Sequence, residues 1–442
     1  MEENKLVKKM SFWHIWALGV GAVVGDGIFL LAGQGGQVAG PAAAISYLIA
    51  GLLLMAVCMV VCEMAVGMPG AASLYIWSKR ILGPMWGVIA SFGELLMNVI
   101  FLGSVSLAAG SISNYFFMWT ENETTSAIIW ALLLLTVVTA IALMGGEITG
   151  VAQLILVIVL VGIMAAFAIG GILSGRIQPD NYKPFAPFGI KGMWVALGMG
   201  VYSYMGPLSL VTAGGEVKKI TDLPKAMFWA FITFLVLYTA AIVITFGLQD
   251  YKLYGSMESP FTAAAALVFG KAAGMIVNFG AWLAVVTCLI GEIFCASRLL
   301  FGMAEDHTVP PAFGKLNKKG SPYVGIIVSY IIAVLLIFMG TMGSLSGAYV
   351  MLANVGTVAG TLGMLVSVTA AWKYKDKFGE EWKNLPWHVP ARGLVFAIAY
   401  IGIAIILYAL WSDIPTLLWS FALVALLLVF YFGYAKKHQK GL

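Results

Sequence analysis

The sequence predicts an all-α integral membrane protein of about twelve transmembrane helices, and three observations carry that expectation. Of its 442 residues, 61% are hydrophobic and only 10% are charged, against about 25% charged in an ordinary soluble domain. Apolar stretches close to the roughly 20 residues a helix needs to cross about 30 Å of hydrocarbon recur twelve times. Two of those stretches, the first and the sixth, are interrupted by glycines or by Gly-Pro. A membrane helix tolerates such breaks only where other groups satisfy the freed backbone.

Taken in order, the expected spans are 12–33, 40–67, 85–118, 126–145, 151–173, 190–213, 226–248, 272–303, 323–340, 349–371, 393–411 and 416–434. The third and eighth exceed what a crossing requires, so they tilt or extend beyond the bilayer. Lys5, Lys8 and Lys9 before the first span resemble the start of a secretory signal. The run from Phe12 to Gly33 is too long for a signal core and is expected to be retained.

Basic residues set the orientation. With the N-terminus in the cytoplasm, 19 Lys and Arg fall in inside segments and five in outside segments, which are Arg176, Lys183, Lys191, Lys252 and Lys271. That bias predicts a cell-membrane protein with both termini cytoplasmic. The net charge of +5 follows membrane orientation and forms no nucleic-acid patch. The expected division is a cytoplasmic segment 1–11, helices 1 to 5 over 12–175 and helices 6 to 10 over 176–371. A cytoplasmic loop 372–392, helices 11 and 12 over 393–434 and a cytoplasmic tail 435–442 follow.

The four cysteines, Cys58, Cys62, Cys288 and Cys295, sit in apolar stretches without histidine neighbours and read as small core residues. No metal or other cofactor is expected. The four histidines, His14, His307, His388 and His438, lie at or beyond the cytoplasmic ends of spans, which argues against a membrane enzyme. A channel would repeat its filter around a symmetric pore, and no such repeat is present. A sensor would carry an output domain larger than the loop 372–392.

Prolines and glycines mark the place where chemistry is expected. Fourteen of fifteen prolines lie at or near helix ends; the exception is Pro207, in the run Tyr202-Ser203-Tyr204-Met205-Gly206-Pro207. Helix 1 carries Gly19, Gly21, Gly25 and Gly27 in close order. Breaks five spans apart match the inverted repeats of transporters, whose ligand sits where the first helix of each repeat unwinds. The alternative is that these glycines merely permit close packing.

Acids inside hydrocarbon are costly and point to function. Asp26 lies about 21 Å along helix 1, Glu94 about 15 Å from the inner end of helix 3, and Glu292 about 16 Å from the inner end of helix 8, at 1.5 Å per residue. Glu63 lies close to the inner end of helix 2. Arg298 follows Glu292 by six positions, too far along one helix face for the two to pair. Glu63 and Arg298 are read as an inner-gate or helix-end polar pair. The freed N–H groups of helix 1 suit a carboxylate. Carbonyls of helix 6 suit an ammonium group, with Tyr202 and Tyr204 as walls.

The run from Gly21 to Phe29, Gly-Ala-Val-Val-Gly-Asp-Gly-Ile-Phe, resembles the first-helix signature of the amino acid-polyamine-organocation (APC) superfamily. Further matches are Ala39-Gly40-Pro41-Ala42, Glu63, Gly70 to Tyr75, Gly206, Glu216-Val217-Lys218, Leu223-Pro224-Lys225-Ala226, Ala296-Ser297-Arg298 and Val309-Pro310, spread over roughly residues 10 to 370. The resemblance implies a leucine-transporter-like fold with 5+5 inverted repeats and alternating access around helices 1 and 6. It implies an amino acid or related amine as substrate, with Val24, Gly25, Asp26 and Gly27 around its carboxylate. Ser203, Tyr204 and Gly206 would then face its amino group and side chain.

Two departures stand out. Asp26 replaces the serine or threonine usual in the family, and the lysine that some proton-coupled members carry in helix 5 is missing, since 151–173 holds no charge. A carboxylate beside a substrate carboxylate repels it, and desolvation favours the neutral form, so Asp26 is expected to be protonated when an amino acid binds. Proton coupling, in a symporter or an exchanger, then runs through Asp26, with Glu94, Glu292 and Thr287 as further coupling candidates. Sodium stays open through the oxygens of Thr287, Glu292 and Ser297. The alternative substrate is a polyamine, a cationic amine or a betaine-like amine, held by ionised Asp26. The partners expected are a small molecule and the lipid bilayer.

Overall fold

Inside hydrocarbon the backbone has no water to bond with, so a long apolar run must close its hydrogen bonds within itself. The computed structural model describes residues 6–254, 259–341, 346–411 and 414–439, and among these the regular structure is helical without a strand. The side chains of Asp26, Leu30 and Ser209, and those of 346–353, 409–411 and 414–417, lie outside the description.

In chain order the helices are α1 (Phe12–Val23), α2 (Asp26–Ala39), α3 (Ala43–Gly67), α4 (Ser73–Leu82), α5 (Pro84–Asn114), α6 (Glu123–Leu143) and α7 (Gly146–Leu173). They continue as α8 (Gly189–Ser203), α9 (Asp222–Leu248), α10 (Pro260–Phe269), α11 (Lys271–Glu305), α12 (Tyr323–Thr341), α13 (Ser346–Lys377), α14 (Gly379–Lys383), α15 (Arg392–Trp411) and α16 (Ile414–Phe430). Local chemistry sets several starts. Pro84 opens α5, where a missing N–H costs nothing, and the Asn122 side chain accepts from the Thr125 N–H at 2.9 Å to cap α6.

Nine helical segments among the described residues are long and apolar enough to cross a membrane. The first and sixth expected spans are not among them because each is broken, and the eleventh is found only as a shorter apolar helix, Arg392–Tyr408. Side chains on the outer faces point the same way: Ile155 is 59% exposed, Leu335 64% and Val429 68%. Such a surface is tolerated against lipid and not against water. The chain is therefore a multi-pass membrane protein.

Besides the single-turn α14 in the expected loop 372–392, two helices fall between expected spans. α4 is amphipathic, with Lys79 and Arg80 in its last turn, and α10 has only ten residues. Both are too short for a hydropathy window tuned to a full crossing.

Helix α1 ends at Val23. Val24 (φ −76°, ψ 94°) and Gly25 (φ −130°, ψ −150°) are extended, and α2 starts at Asp26. Helix α8 ends at Ser203, Gly206 takes φ +109°, and the chain resumes as a 3-10 helix, Pro207–Gly215. The two breaks face one another. A Cβ on Gly27 would stand 2.9 Å from the Ser203 Cα, and a Cβ on Gly206 would stand 2.6 Å from the Ala22 carbonyl oxygen. Glycine is therefore required at Gly206 both by its backbone angle and by the neighbouring carbonyl.

Candidate functional site

The broken ends meet over a small cavity of about 20 Å³, room for about one water. Its walls include Ala22, Val23, Gly25 and Gly27 from the first break, and Tyr202, Ser203 and Met205 from the second. Phe101 and Val105 of α5, with Cys288 and Glu292 of α11, close the remaining sides. The ring of Phe101 lies 5.6 Å from that of Tyr202.

Helix polarity gives this cavity two unlike ends. Where α2 begins, its first N–H groups have no partner within the helix, and where α1 and α8 end, their last carbonyls have none. The first carries partial positive charge and the second partial negative charge. One of those carbonyls is held by a neighbour: the Tyr238 hydroxyl of α9 donates to the Val23 oxygen at 3.1 Å, with the Ser203 oxygen at 3.5 Å. The Cys288 thiol lies 3.8 Å from the Ala22 oxygen and 4.0 Å from Glu292 Oε1. Glu292 is 1% exposed, and its carboxylate lies on the carbonyl-rich side, close to Gly206.

The residues singled out from the sequence divide between the cavity and its surroundings. Gly25, Gly27, Tyr202, Ser203 and Glu292 line it. Asp26 opens α2 at the break, and its side chain lies outside the described residues. Val24 is buried but is not among the lining residues. Tyr204 turns away from the cavity to pack at 5.0 Å on Tyr238 and 5.6 Å on Phe234, over Gly51 of α3. It stands just past the last helical residue of α8, with φ −107° and ψ 6°, so neighbours Ser203 and Tyr204 face different sides.

Glu94 is fully buried on α5 about two helical turns from Phe101, where the chain packs against Gly363 of α13. Thr287 spends its hydroxyl on the Ala284 carbonyl at 2.9 Å, and its own carbonyl accepts from the Gln153 amide of α7 at 2.9 Å. Gln153 also fills the space against Gly21, so this uncharged amide ties α7 to α1 and α11.

Glu63 and Arg298 are not partners of one another. Glu63 accepts from the Trp382 indole at 2.7 Å and the Val389 N–H at 2.9 Å, and Arg392 stands 3.5 Å away. It anchors the loop between α13 and α15. Arg298 pairs with Glu216 at 2.8 Å, both almost wholly buried, and stacks on the Phe294 ring at 3.8 Å. Each charge is matched by a nearer group than the other.

Arg298 lies about 9 Å along α11 from Glu292, toward the end of the bundle that carries the chain's N-terminal segment. There Met10 pairs with Glu216 and Lys218 through backbone bonds of 2.9 and 3.0 Å. Lys9 reaches Glu147 at 3.0 Å. About two turns beyond Arg298, at the end of α11, Asp306 accepts from Lys79 at 2.8 Å and from the Tyr75 hydroxyl. Burial first, then donation to Asp306, raises the Tyr75 phenol above its ordinary pKa, so it stays a donor. On the opposite side of the cavity, Phe261 of α10 packs edge-on against Phe29 of α2 at 5.6 Å. These layers enclose the cavity along the bundle axis.

Sequence reasoning missed Tyr238, Gln153, Phe101 and the Glu216 partner of Arg298, and treated Cys288 as core packing. Polar residues on uninterrupted apolar helices, such as Tyr238 and Gln153, were the available signal.

Two interrupted membrane helices meeting over a partly polar cavity are the arrangement of a multi-pass membrane transporter. A sequence profile described as amino acid permease matches residues 10–435, and the chain belongs to that family of transporters, as the resemblance to the APC superfamily implied. It is similar to the gamma-aminobutyric acid permease of Bacillus subtilis (strain 168), 26% identical over 98% of this chain and 95% of that protein. It is likewise 26% identical to the branched-chain amino acid permease BcaP of Lactococcus lactis subsp. cremoris (strain MG1363), over 96% of this chain and 94% of BcaP. The methylthioribose transporter of Bacillus subtilis (strain 168) is 25% identical over 99% of this chain and 95% of its own length. Relatives at nearly the same identity thus carry names of chemically different cargoes.

Proposed function

We propose that this permease carries an amino acid by alternating access, coupled to protons, as a symporter or an exchanger. One observation carries the reading: the start of α2 and the ends of α1 and α8 converge on one cavity. A zwitterion matches that polarity, its carboxylate on the α2 N–H groups and its ammonium on the carbonyl ends. Glu292 on the carbonyl side adds a counter-charge for the ammonium. The present cavity of about 20 Å³ is smaller than any amino acid, so binding requires its walls to part.

In this reading Asp26 is neutral when the substrate carboxylate is bound, and its proton travels with the substrate. Twelve spans, inverted repeats over 12–175 and 176–371, and cytoplasmic termini complete the account. Sodium, held by oxygens of Thr287, Glu292 and Ser297, is the competing coupling ion. A cationic amine held by ionised Asp26 is the competing substrate.

Uptake by the full chain in proteoliposomes separates these readings. Asp26→Asn should keep exchange of the amino acid while losing accumulation driven by a pH gradient. Accumulation that needs sodium and ignores the pH gradient would overturn proton coupling, and loss of all amine binding with indifference to pH would favour the cationic substrate.

A further inference from the structure

We propose that the groove between α8 and α15 is a binding site for one anionic phospholipid, with its phosphate at Lys191. The groove has a volume of about 850 Å³ and is lined chiefly by Ile190, Trp194, Ile401, Ile405 and Tyr408, with Lys191 its one charged residue. That volume falls within the range of sites that take small molecules, about 300–1,000 Å³. It lies on the outside of the bundle: Ile190 is 76% exposed, Ile401 55% and Tyr408 67%. An apolar trough facing lipid accommodates an acyl chain, since a void would forfeit contacts along its whole lining.

Three features fix the depth of the headgroup. Helix α8 begins at Gly189, so Lys191 stands in its first turn. The residues before it, Phe185 and Phe188, are apolar and exposed. Trp194 and Tyr408 meet edge-on with ring centroids 5.9 Å apart, and tryptophan and tyrosine gather at the membrane–water boundary. Lys191 therefore sits at headgroup level directly above an apolar trough.

Charge selects the class of lipid. Lys191 is exposed and forms no ion pair among the described residues. A lone ammonium beside an acyl-chain groove complements a net negative glycerophospholipid and gains less from a zwitterionic one, whose own cation competes. The site lies on the helix whose break forms one wall of the cavity, about 18 Å along α8 from Ser203. A lipid held there links membrane composition to α8.

Native mass spectrometry of the full-length protein in neutral detergent tests the assignment, with phosphatidylglycerol, phosphatidylcholine and inorganic phosphate as probes. Phosphatidylglycerol should be retained in preference to phosphatidylcholine. Lys191→Gln should reduce that retention about fivefold, while Lys252→Gln, an exposed lysine elsewhere, should leave it unchanged. Ile405→Trp, which fills the trough, should also reduce it. Millimolar inorganic phosphate should not displace the lipid; displacement would make this a site for a free anion and overturn the proposal. Equal retention of both lipids, unaltered by Lys191→Gln, would also overturn it, leaving only the unspecific lipid shell.

Discussion

The Tyr238 hydroxyl donates to the Val23 carbonyl at 3.1 Å, closing the last turn of α1 from a different helix. A phenol has one proton, so it holds this carbonyl in preference to the more distant one of Ser203. Val23 lines the cavity, and Tyr238 thereby positions one wall of it. Tyr238→Phe removes the hydroxyl and little else. It should cost about 1 kcal/mol of stability, seen as a lower melting temperature in detergent, and should slow uptake beyond any loss of folded protein. Uptake at the original rate would mean that the bond has no positional role.

Gly206→Ala meets two obstacles at once, a backbone at φ +109° and the Ala22 oxygen 2.6 Å from the new methyl. Backbone strain alone is about 1–3 kcal/mol, and the clash pushes the broken helices apart. Transport should fall to background while Gly162→Ala, in open space on α7, leaves it intact. Equal transport by both variants would contradict the close approach of the two breaks.

Breaking one side of the Arg298–Glu216 pair leaves a buried charge alone. Arg298→Met or Glu216→Gln should each cost about 3–5 kcal/mol, and the double variant less than their sum. Thermal unfolding of the four proteins in a double-mutant cycle measures the coupling. Additive losses would show that the pair is not a unit.

Glu63 holds the loop between α13 and α15 by accepting from Trp382 and Val389. Glu63→Gln replaces one acceptor oxygen with a donor group that faces another donor. Hydrogen exchange of the 384–390 segment should accelerate, with exchange around the cavity unchanged. An unaltered exchange rate at Val389 would remove Glu63 from this role.

Most helices were legible because hydropathy measures a quantity the bilayer enforces over some 20 residues. The breaks at Gly25 and Gly206 were legible because glycine and proline act on the backbone locally. Helix α4, carrying Lys79 and Arg80, and the ten-residue α10 were not, since neither fills a crossing. The cavity's other walls were hidden for a different reason. Phe101, Cys288 and Tyr238 sit on uninterrupted apolar helices, and which face meets the breaks is decided by tertiary packing. The same holds for Tyr204, whose neighbour Ser203 faces the cavity while Tyr204 packs on Tyr238. Arg298 finds Glu216 across 82 positions of sequence, beyond the reach of any spacing rule.

The central claim is that substrate occupies the cavity where the broken helices meet, and the Cys288 thiol in its wall offers the most direct test. Of the four free cysteines, Cys58, Cys62 and Cys295 would be replaced by alanine, leaving Cys288 alone. The amino acid that most raises the melting temperature of the purified protein would then be present or absent during reaction with a small alkylating reagent, followed by uptake in proteoliposomes. The account predicts that the amino acid slows alkylation of Cys288 and that the alkylated protein no longer transports. Alkylated protein that transports at the unmodified rate would contradict it.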